Sequence, residues 1–156
     1  MYKPISFLFF VLFAINLSAQ KDIDYEWAQH QIIFTLAEDF KPITNTADEF
    51  TAQGDGMDFG IFPFSDNTLD HSNITAYTLQ VAKSLKMEQL DDVDVIELNG
   101  LEGAYVEGYK DGRRIITLGF IDPASDTNFF AVITFGDDDQ EAEEEAIRMI
   151  ESIRKK

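Results

Sequence analysis

The 156-residue sequence contains no cysteine and only two histidines. The lack of cysteine excludes disulfides, thiolate zinc sites, thiol catalysis and attachment of haem or lipid through cysteine. Basic residues are also scarce, because 12 Lys and Arg stand against 29 Asp and Glu, for a formal net charge of −17. Since like charges repel, this balance disfavours nucleic acid and anionic lipid headgroups and suits a cationic partner or divalent ions.

Long apolar runs are missing after the first residues. Lys3 precedes an apolar stretch, residues 5–17, and Ala19 supplies a small residue at a cleavage position, which is the layout of a secretory signal peptide. The stretch is shorter than the ~20 residues of a membrane-spanning helix. We therefore predict a signal peptide at 1–20, a single globular domain at 21–156, and a periplasmic or secreted protein with no membrane span after cleavage.

The most regular pattern predicts three consecutive antiparallel strands at 103–109, 114–121 and 129–135. Asp111-Gly112 between the first two suits a hairpin turn with positive φ. The later two strands are apolar on both faces, with Ile116, Leu118, Phe120, Phe129, Ala131, Ile133 and Phe135 opposed to Ile115, Ile121, Phe130 and Val132. A sheet open to water on one face would alternate apolar with polar residues, so we expect both faces to be covered.

Further strands are predicted at 31–36, 48–53, 57–64 and 93–98, with Gly54-Asp55-Gly56 as a three-residue hairpin loop. Residues 21–30 indicate irregular chain or an edge strand. Pro42 is expected to end the strand predicted at 31–36. Apolar residues three and four apart predict helices at about 73–87 and 139–154. Together these elements predict an α+β fold, an antiparallel sheet of about six strands between helices in three α/β/α layers.

Three segments make the chain resemble the PsbP-like family of small exported domains. They are IIFTLAEDF at 32–40, NGLEG at 99–103 and AIRMIESI at 146–153. With the order of elements, the resemblance covers most of residues 30–154. It implies a non-enzymatic envelope or accessory domain.

The sequence contains no familiar catalytic motif. A nucleophile elbow, a phosphate loop and a dinucleotide fingerprint are all missing. His30 and His71 have no metal-ligand spacing. We expect His30 to be a strand-entry residue and His71 to be a surface residue before the first helix. Glu102 and Glu107 form a conceivable acid–base pair, but spacing alone does not bring them together. Glu107 shares a predicted strand face with two tyrosines, which either bind a partner or face a helix edge.

The loop before the last predicted strand holds the candidate metal ligands Asp122, Asp126 and Asn128. Their side chains carry the hard oxygen atoms that calcium prefers. Ordinary turn chemistry is the alternative, because Asp and Asn also bond to their own backbone. Three side chains leave most of calcium's six to eight ligands to carbonyls and water. We therefore expect no more than weak binding of a divalent cation.

These observations predict a non-catalytic exported binding or accessory domain of the cell envelope, with a protein or other envelope partner and no cofactor. Two alternatives stay open, a carboxylate-based hydrolase and a structural module that oligomerises through a sheet edge. A deep pocket with facing carboxylates would favour the hydrolase. A shallow aromatic surface would favour binding, and a paired edge strand would favour the oligomer.

Overall fold

A computed structural model describes residues 21–64, 73–125 and 127–156. Its elements are β1 (Asp22–Trp27), β2 (Ile32–Ala37), β3 (Lys41–Asn45), β4 (Phe50–Gly54), β5 (Met57–Phe64), α1 (Ile74–Ser84), β6 (Asp94–Leu98), β7 (Leu101–Lys110), β8 (Arg113–Ile121), β9 (Asn128–Phe135), α2 (Gln140–Glu151) and β10 (Arg154–Lys155). Within the described ranges, no helix is long and apolar enough to cross a membrane. The predicted signal peptide lies outside them.

Seven strands form the main sheet in the order β3-β4-β5-β9-β8-β7-β6, and all neighbours are antiparallel. The turn between β7 and β8 has positive φ at Asp111 (52°) and Gly112 (76°), as predicted. The predicted three-residue loop is wrong, because Gly54 pairs with Met57 and leaves only Asp55 and Gly56 in the turn. Asp55 itself adopts a φ of 44°, a conformation that Asp tolerates better than most residues.

The predicted strand at 31–36 belongs to a second, three-stranded sheet in the order β1-β2-β10. The prediction of a single sheet missed it because β10 is only two residues long. The second helix ends at Glu151, earlier than predicted. Ser152 Oγ there accepts a hydrogen bond of 2.8 Å from the Thr35 backbone N–H of β2. This contact ties the helix end to the small sheet.

The strand before Pro42, β2, ends at Ala37, as predicted, but the sequence did not predict that Pro42 itself lies in a strand. It lies in β3, which is an edge strand, and the register shifts between Pro42 and Thr44. An edge strand tolerates proline because one side of its backbone needs no partner in the sheet.

The two helices lie on opposite faces of the main sheet, which confirms the predicted α+β fold. On one face, Ala82 and Met87 from α1 and its C-terminal end pack with Val106 and Ile115. On the other face, α2 and the small sheet enclose the main core, to which they contribute Trp27, Ile32, Phe34, Leu36, Ala142, Ala146, Met149 and Ile150. The caps are Asn73 and Asp139, whose side chains accept hydrogen bonds from backbone N–H groups of the first turn.

Helix α1 lies very close to β8 because β8 offers a glycine there. A Cβ atom on Gly119 would lie 2.5 Å from Thr78 Oγ1 and 2.8 Å from Tyr77 Cδ1. The Tyr77 hydroxyl donates a hydrogen bond of 2.9 Å to the Phe129 carbonyl. The Thr78 hydroxyl lies 3.0 Å from the Ala104 carbonyl oxygen. These contacts tie the helix to β9 through Phe129 and to β7 through Ala104.

Candidate binding site

Helix α1 covers only one half of its face of the main sheet. The other half, formed by β4, β5 and β9, carries an open groove of about 560 Å³. We call it the apolar groove and define it by Ile43, Thr51, Gly60, Phe62, Leu85, Phe130 and Val132. The expectation that both faces are covered therefore holds for β8 but not for β9, where Phe130 and Val132 are only half-buried.

Aromatic rings form the floor of the apolar groove. Phe62 and Phe130 stack with ring centroids 5.0 Å apart and planes 23° apart. The Phe62 ring lies over Gly60, since a Cβ there would approach its ring atoms to 2.7 Å. Ile43 on the edge strand is 61% exposed, and Leu85 supplies the wall at the end of α1. Side chains from four separate segments thus meet in one apolar surface.

One end of the apolar groove is polar and firmly bonded. The Asp58 carboxylate accepts hydrogen bonds from Arg113 (2.6 Å), Gln53 (2.6 Å) and Thr134 (3.1 Å). Partial burial opposes ionisation of Asp58, but these donors and the charge of Arg113 outweigh it and lower its pKa below the usual value. A carboxylate held ionised in this way is a poor proton acceptor, so the groove's geometry favours binding over acid–base chemistry.

The dimensions and lining of the groove are typical of binding sites. Ligand pockets commonly measure ~300–1,000 Å³ and combine apolar walls with a few polar groups. Contiguous exposed apolar patches mark interaction surfaces in soluble proteins. The sequence did not reveal this surface, because periodicity shows that a helix has an apolar stripe but not where along the sheet it packs.

The predicted acid–base pair does not form. Glu102 and Glu107 both lie in the regular strand β7, an odd number of residues apart, so their side chains point to opposite faces. Glu107 pairs with Arg114 at 2.5 Å, and Arg114 also contacts Glu143 of α2 at 3.2 Å. Arg114 therefore links Glu107 of β7 to Glu143 at the edge of α2.

His30 has a structural environment. Its Nε2 lies 2.7 Å from the Ala47 carbonyl oxygen, to which it donates a hydrogen bond. Its ring packs against Trp27 and Phe129, with centroids 4.1 Å and 5.1 Å away. His30 lies in the turn just before β2, which agrees with the expected role at the entry to a strand. His71 lies outside the described residues.

The candidate metal ligands are only partly described. Asp122 is buried, and Lys155 Nζ and the Ala124 N–H both donate to its carboxylate. Burial opposes ionisation, but these two donors outweigh it and lower the pKa of Asp122. Asn128 is buried with Oδ1 unpaired, and Asp126 lies outside the described residues. In the ranges given above, no three His, Asp or Glu side chains are grouped to hold a metal, and this site stays a prediction.

Comparison with solved structures supports the fold alone. The yeast (Saccharomyces cerevisiae) Ran-binding protein Mog1p matches with a TM-score of 0.58 and 7% identity, over 86% of this chain and 95% of its own. A crystal structure from Bacteroides thetaiotaomicron matches with a TM-score of 0.53 and 13% identity, over 88% of this chain. This chain spans about half of that protein, 48% of its length. No family model and no curated protein sequence matches.

Proposed function

We propose that the protein is a non-catalytic binding domain that holds an apolar segment of a positively charged protein partner in the apolar groove. The observation that carries this proposal is the stacked floor of Phe62 and Phe130, left open beside a helix that covers the rest of the same face. Burying such a surface against a partner yields roughly 25 cal/mol per Å² of apolar area removed from water.

The charge of the chain supports a cationic partner. A net charge of −17 accelerates encounter with basic proteins and repels acidic ones. The apolar groove then supplies the short-range contacts that net charge alone lacks. The fold of the yeast neighbour is that of a protein named for binding another protein, Ran, which is consistent with a protein partner here.

We further propose that the domain acts in the cell envelope or outside the cell, as an accessory domain of PsbP-like type. The sequence pattern of residues 1–20 supports export. Mass spectrometry of envelope and secreted fractions should find a chain that begins near Gln20 or Lys21. Protein from these fractions that still carries residues 1–19 would contradict export with cleavage.

Selection of peptides from a random library displayed on phage, about 12 residues long, tests the groove directly. The bait is the chain from Lys21 to Lys156, which keeps every described helix and strand. Enriched peptides should contain apolar residues and Lys or Arg. Their affinity for Val132→Asp should be about tenfold or more lower than for the wild type. Their affinity for the matched control Val95→Asp should be unchanged.

The control is matched because Val95 is 68% exposed at the far edge of the same sheet. Both variants add one negative charge, so a general charge effect would weaken them equally. Equal weakening, or no enriched peptide with the wild-type bait, would overturn the proposal. Circular dichroism establishes that both variants are folded.

Oligomerisation through a sheet edge is the second candidate, and exposed Val95 on edge strand β6 is the observation that favours it. Antiparallel pairing of two copies of this edge about Val95 and Ile96 would place Asp94 opposite Glu97. Like charges directly opposite each other are destabilising in a sheet. Sedimentation should therefore show a monomer at neutral pH, and a dimer dissolved by Val95→Lys would support this candidate instead.

A further inference from the structure

Glu145 of α2 is a buried acid with one carboxylate oxygen that lacks a hydrogen-bond donor. Its side chain is only 9% exposed, and its Oε1 has no hydrogen-bond partner. None of the ion pairs found in the described part of the chain includes it. Native proteins pair most buried polar groups, so an unpaired buried carboxylate calls for an explanation.

Two small cavities meet at Glu145. One measures about 200 Å³ and is lined by Asp55, Met57, Asp139, Glu141, Ala142, Glu144, Glu145 and Arg148. The other measures about 220 Å³ and is lined by Asp22, Thr35, Ala37, Glu145, Arg148, Met149 and Ser152. Apart from Glu145, the first lining holds four acids against the single cation Arg148, and the second holds Asp22 against Arg148. The first cavity therefore carries an excess of acidic side chains around the Glu145 carboxylate.

The electrostatic surroundings of Glu145 are unfavourable to its own charge. Burial raises its pKa, and Asp39, Asp55 and Asp22 raise it further, against a lowering by Arg148. Since the desolvation cost is already present in the folded chain, an arriving cation gains attraction without first stripping water from this carboxylate. Pairing it with a positive group relieves a penalty that the free protein carries.

We infer that the 200 Å³ cavity receives the ammonium group of a lysine side chain from the protein partner, with Glu145 as the counter-ion of that group. The inference rests on the proposed function and names the chemistry by which the partner is recognised. Met57 and Ala142 line the same cavity and offer apolar contact to the lysine's methylene stem. A metal ion fits less well, because the described residues hold no group of three suitable ligands.

Methyl NMR with a short probe tests the site separately from the apolar groove. The probe is the peptide acetyl-Gly-Lys-Gly-amide, titrated into protein labelled at Met and Ala methyl groups. The Met57 and Ala142 methyl signals should shift and saturate. The same peptide with norleucine, which keeps the stem and lacks the charge, should leave both signals in place.

Glu145→Gln and Glu144→Gln form a matched pair, because each removes one negative charge from neighbouring positions in the same cavity lining. Glu144 is exposed, so its charge is screened by water. We expect Glu145→Gln to weaken the lysine peptide by about fivefold or more and Glu144→Gln by less than about twofold. Thermal unfolding should show that Glu145→Gln is folded, and Val95→Asp, at an exposed position outside both sites, should bind the lysine peptide unchanged.

Three results would overturn the inference: no shift with the lysine peptide, equal binding of the norleucine peptide, or equal losses in the two glutamine variants. Failure of the phage selection leaves this titration interpretable, because the tripeptide is too short to fill the apolar groove. The two proposals therefore fail separately.

Discussion

The two halves of the α1 face differ in how the same sheet meets its surroundings. Over β7 and β8 the helix lies so close that Gly119 has no room for a Cβ atom, and the Thr78 hydroxyl lies 3.0 Å from the Ala104 carbonyl oxygen. Helix α1 reaches β5 and β9 through Tyr77, which contacts Phe64 and the Phe129 carbonyl, and Val132 packs at its border. Beyond that border, over β4 and the groove-lining parts of β5 and β9, the half-buried rings of Phe62 and Phe130 form the surface. We call these the covered half and the open half.

The difference separates residues that pack α1 against the sheet from residues whose side chains stay available for binding. Small residues in the covered half let the helix approach, and they serve no purpose without it. Exposed bulky apolar residues in the open half lower solubility unless a partner covers them. The open half is thus the part of this face that a partner can complete.

The largest effects should be equal in both halves, because the two halves share the core on the opposite face. Leu118 of β8 and Ile133 of β9 are both fully buried in that core. We expect Leu118→Ala and Ile133→Ala each to lower the free energy of unfolding by about 2–5 kcal/mol. Urea denaturation measures both, and a much smaller loss for Ile133→Ala would mean that the open half is poorly packed throughout.

The sharpest contrast should come from the same substitution at two glycines. Gly119→Ala forces its Cβ against Thr78 and Tyr77, whereas Gly60→Ala meets only the end of the Phe62 ring. Overpacking should cost Gly119→Ala about 1–3 kcal/mol. Because Phe62 is half-buried and can rotate away, Gly60→Ala should cost less than about 1 kcal/mol. The same urea experiment applies, and equal losses would break the distinction between the halves.

The smallest expected effects concern two carboxylates with opposite pKa shifts. Asp58, at the end of the open half, has a lowered pKa, so its ionised form stabilises the fold above the unfolded-state pKa and this contribution disappears as pH falls through the folded-state pKa. Glu145 has a raised pKa, so its charge destabilises the fold at neutral pH and this penalty disappears as pH falls.

Melting temperatures at pH 7 should therefore fall for Asp58→Asn and rise for Glu145→Gln. Both differences should shrink toward the acidic range in which the carboxyls are protonated in the folded and unfolded states. Shifts of the same sign in the two variants at pH 7 would contradict the assignment of partners to these groups.

The sequence predicted the parts of the fold that local pattern determines. The apolar runs at 114–121 and 129–135 located β8 and β9, and Asp111-Gly112 located the turn between β7 and β8. The small sheet was missed because β10 is too short for any periodicity. Glu145 was missed because helical spacing placed it beside the apolar stripe, whereas the small sheet that encloses it is a tertiary feature.

The candidate site was even less accessible to sequence. Ile43, Phe62, Leu85 and Val132 come from four segments, and only the lateral position of α1 leaves them exposed together. No local pattern encodes that position. The resemblance to the PsbP-like family predicted a fold of the observed class, and it gave no residue of the groove.

Methyl NMR with a peptide from the phage selection compares both halves of the α1 face in a single spectrum. Ile43, Leu85 and Val132 report on the open half, and Val106 and Ile115, buried under α1, report on the covered half. We predict that the first three methyl signals shift and saturate together while the last two stay in place. Shifts confined to the covered half, or to the Val95 methyls at the sheet edge, would contradict the account.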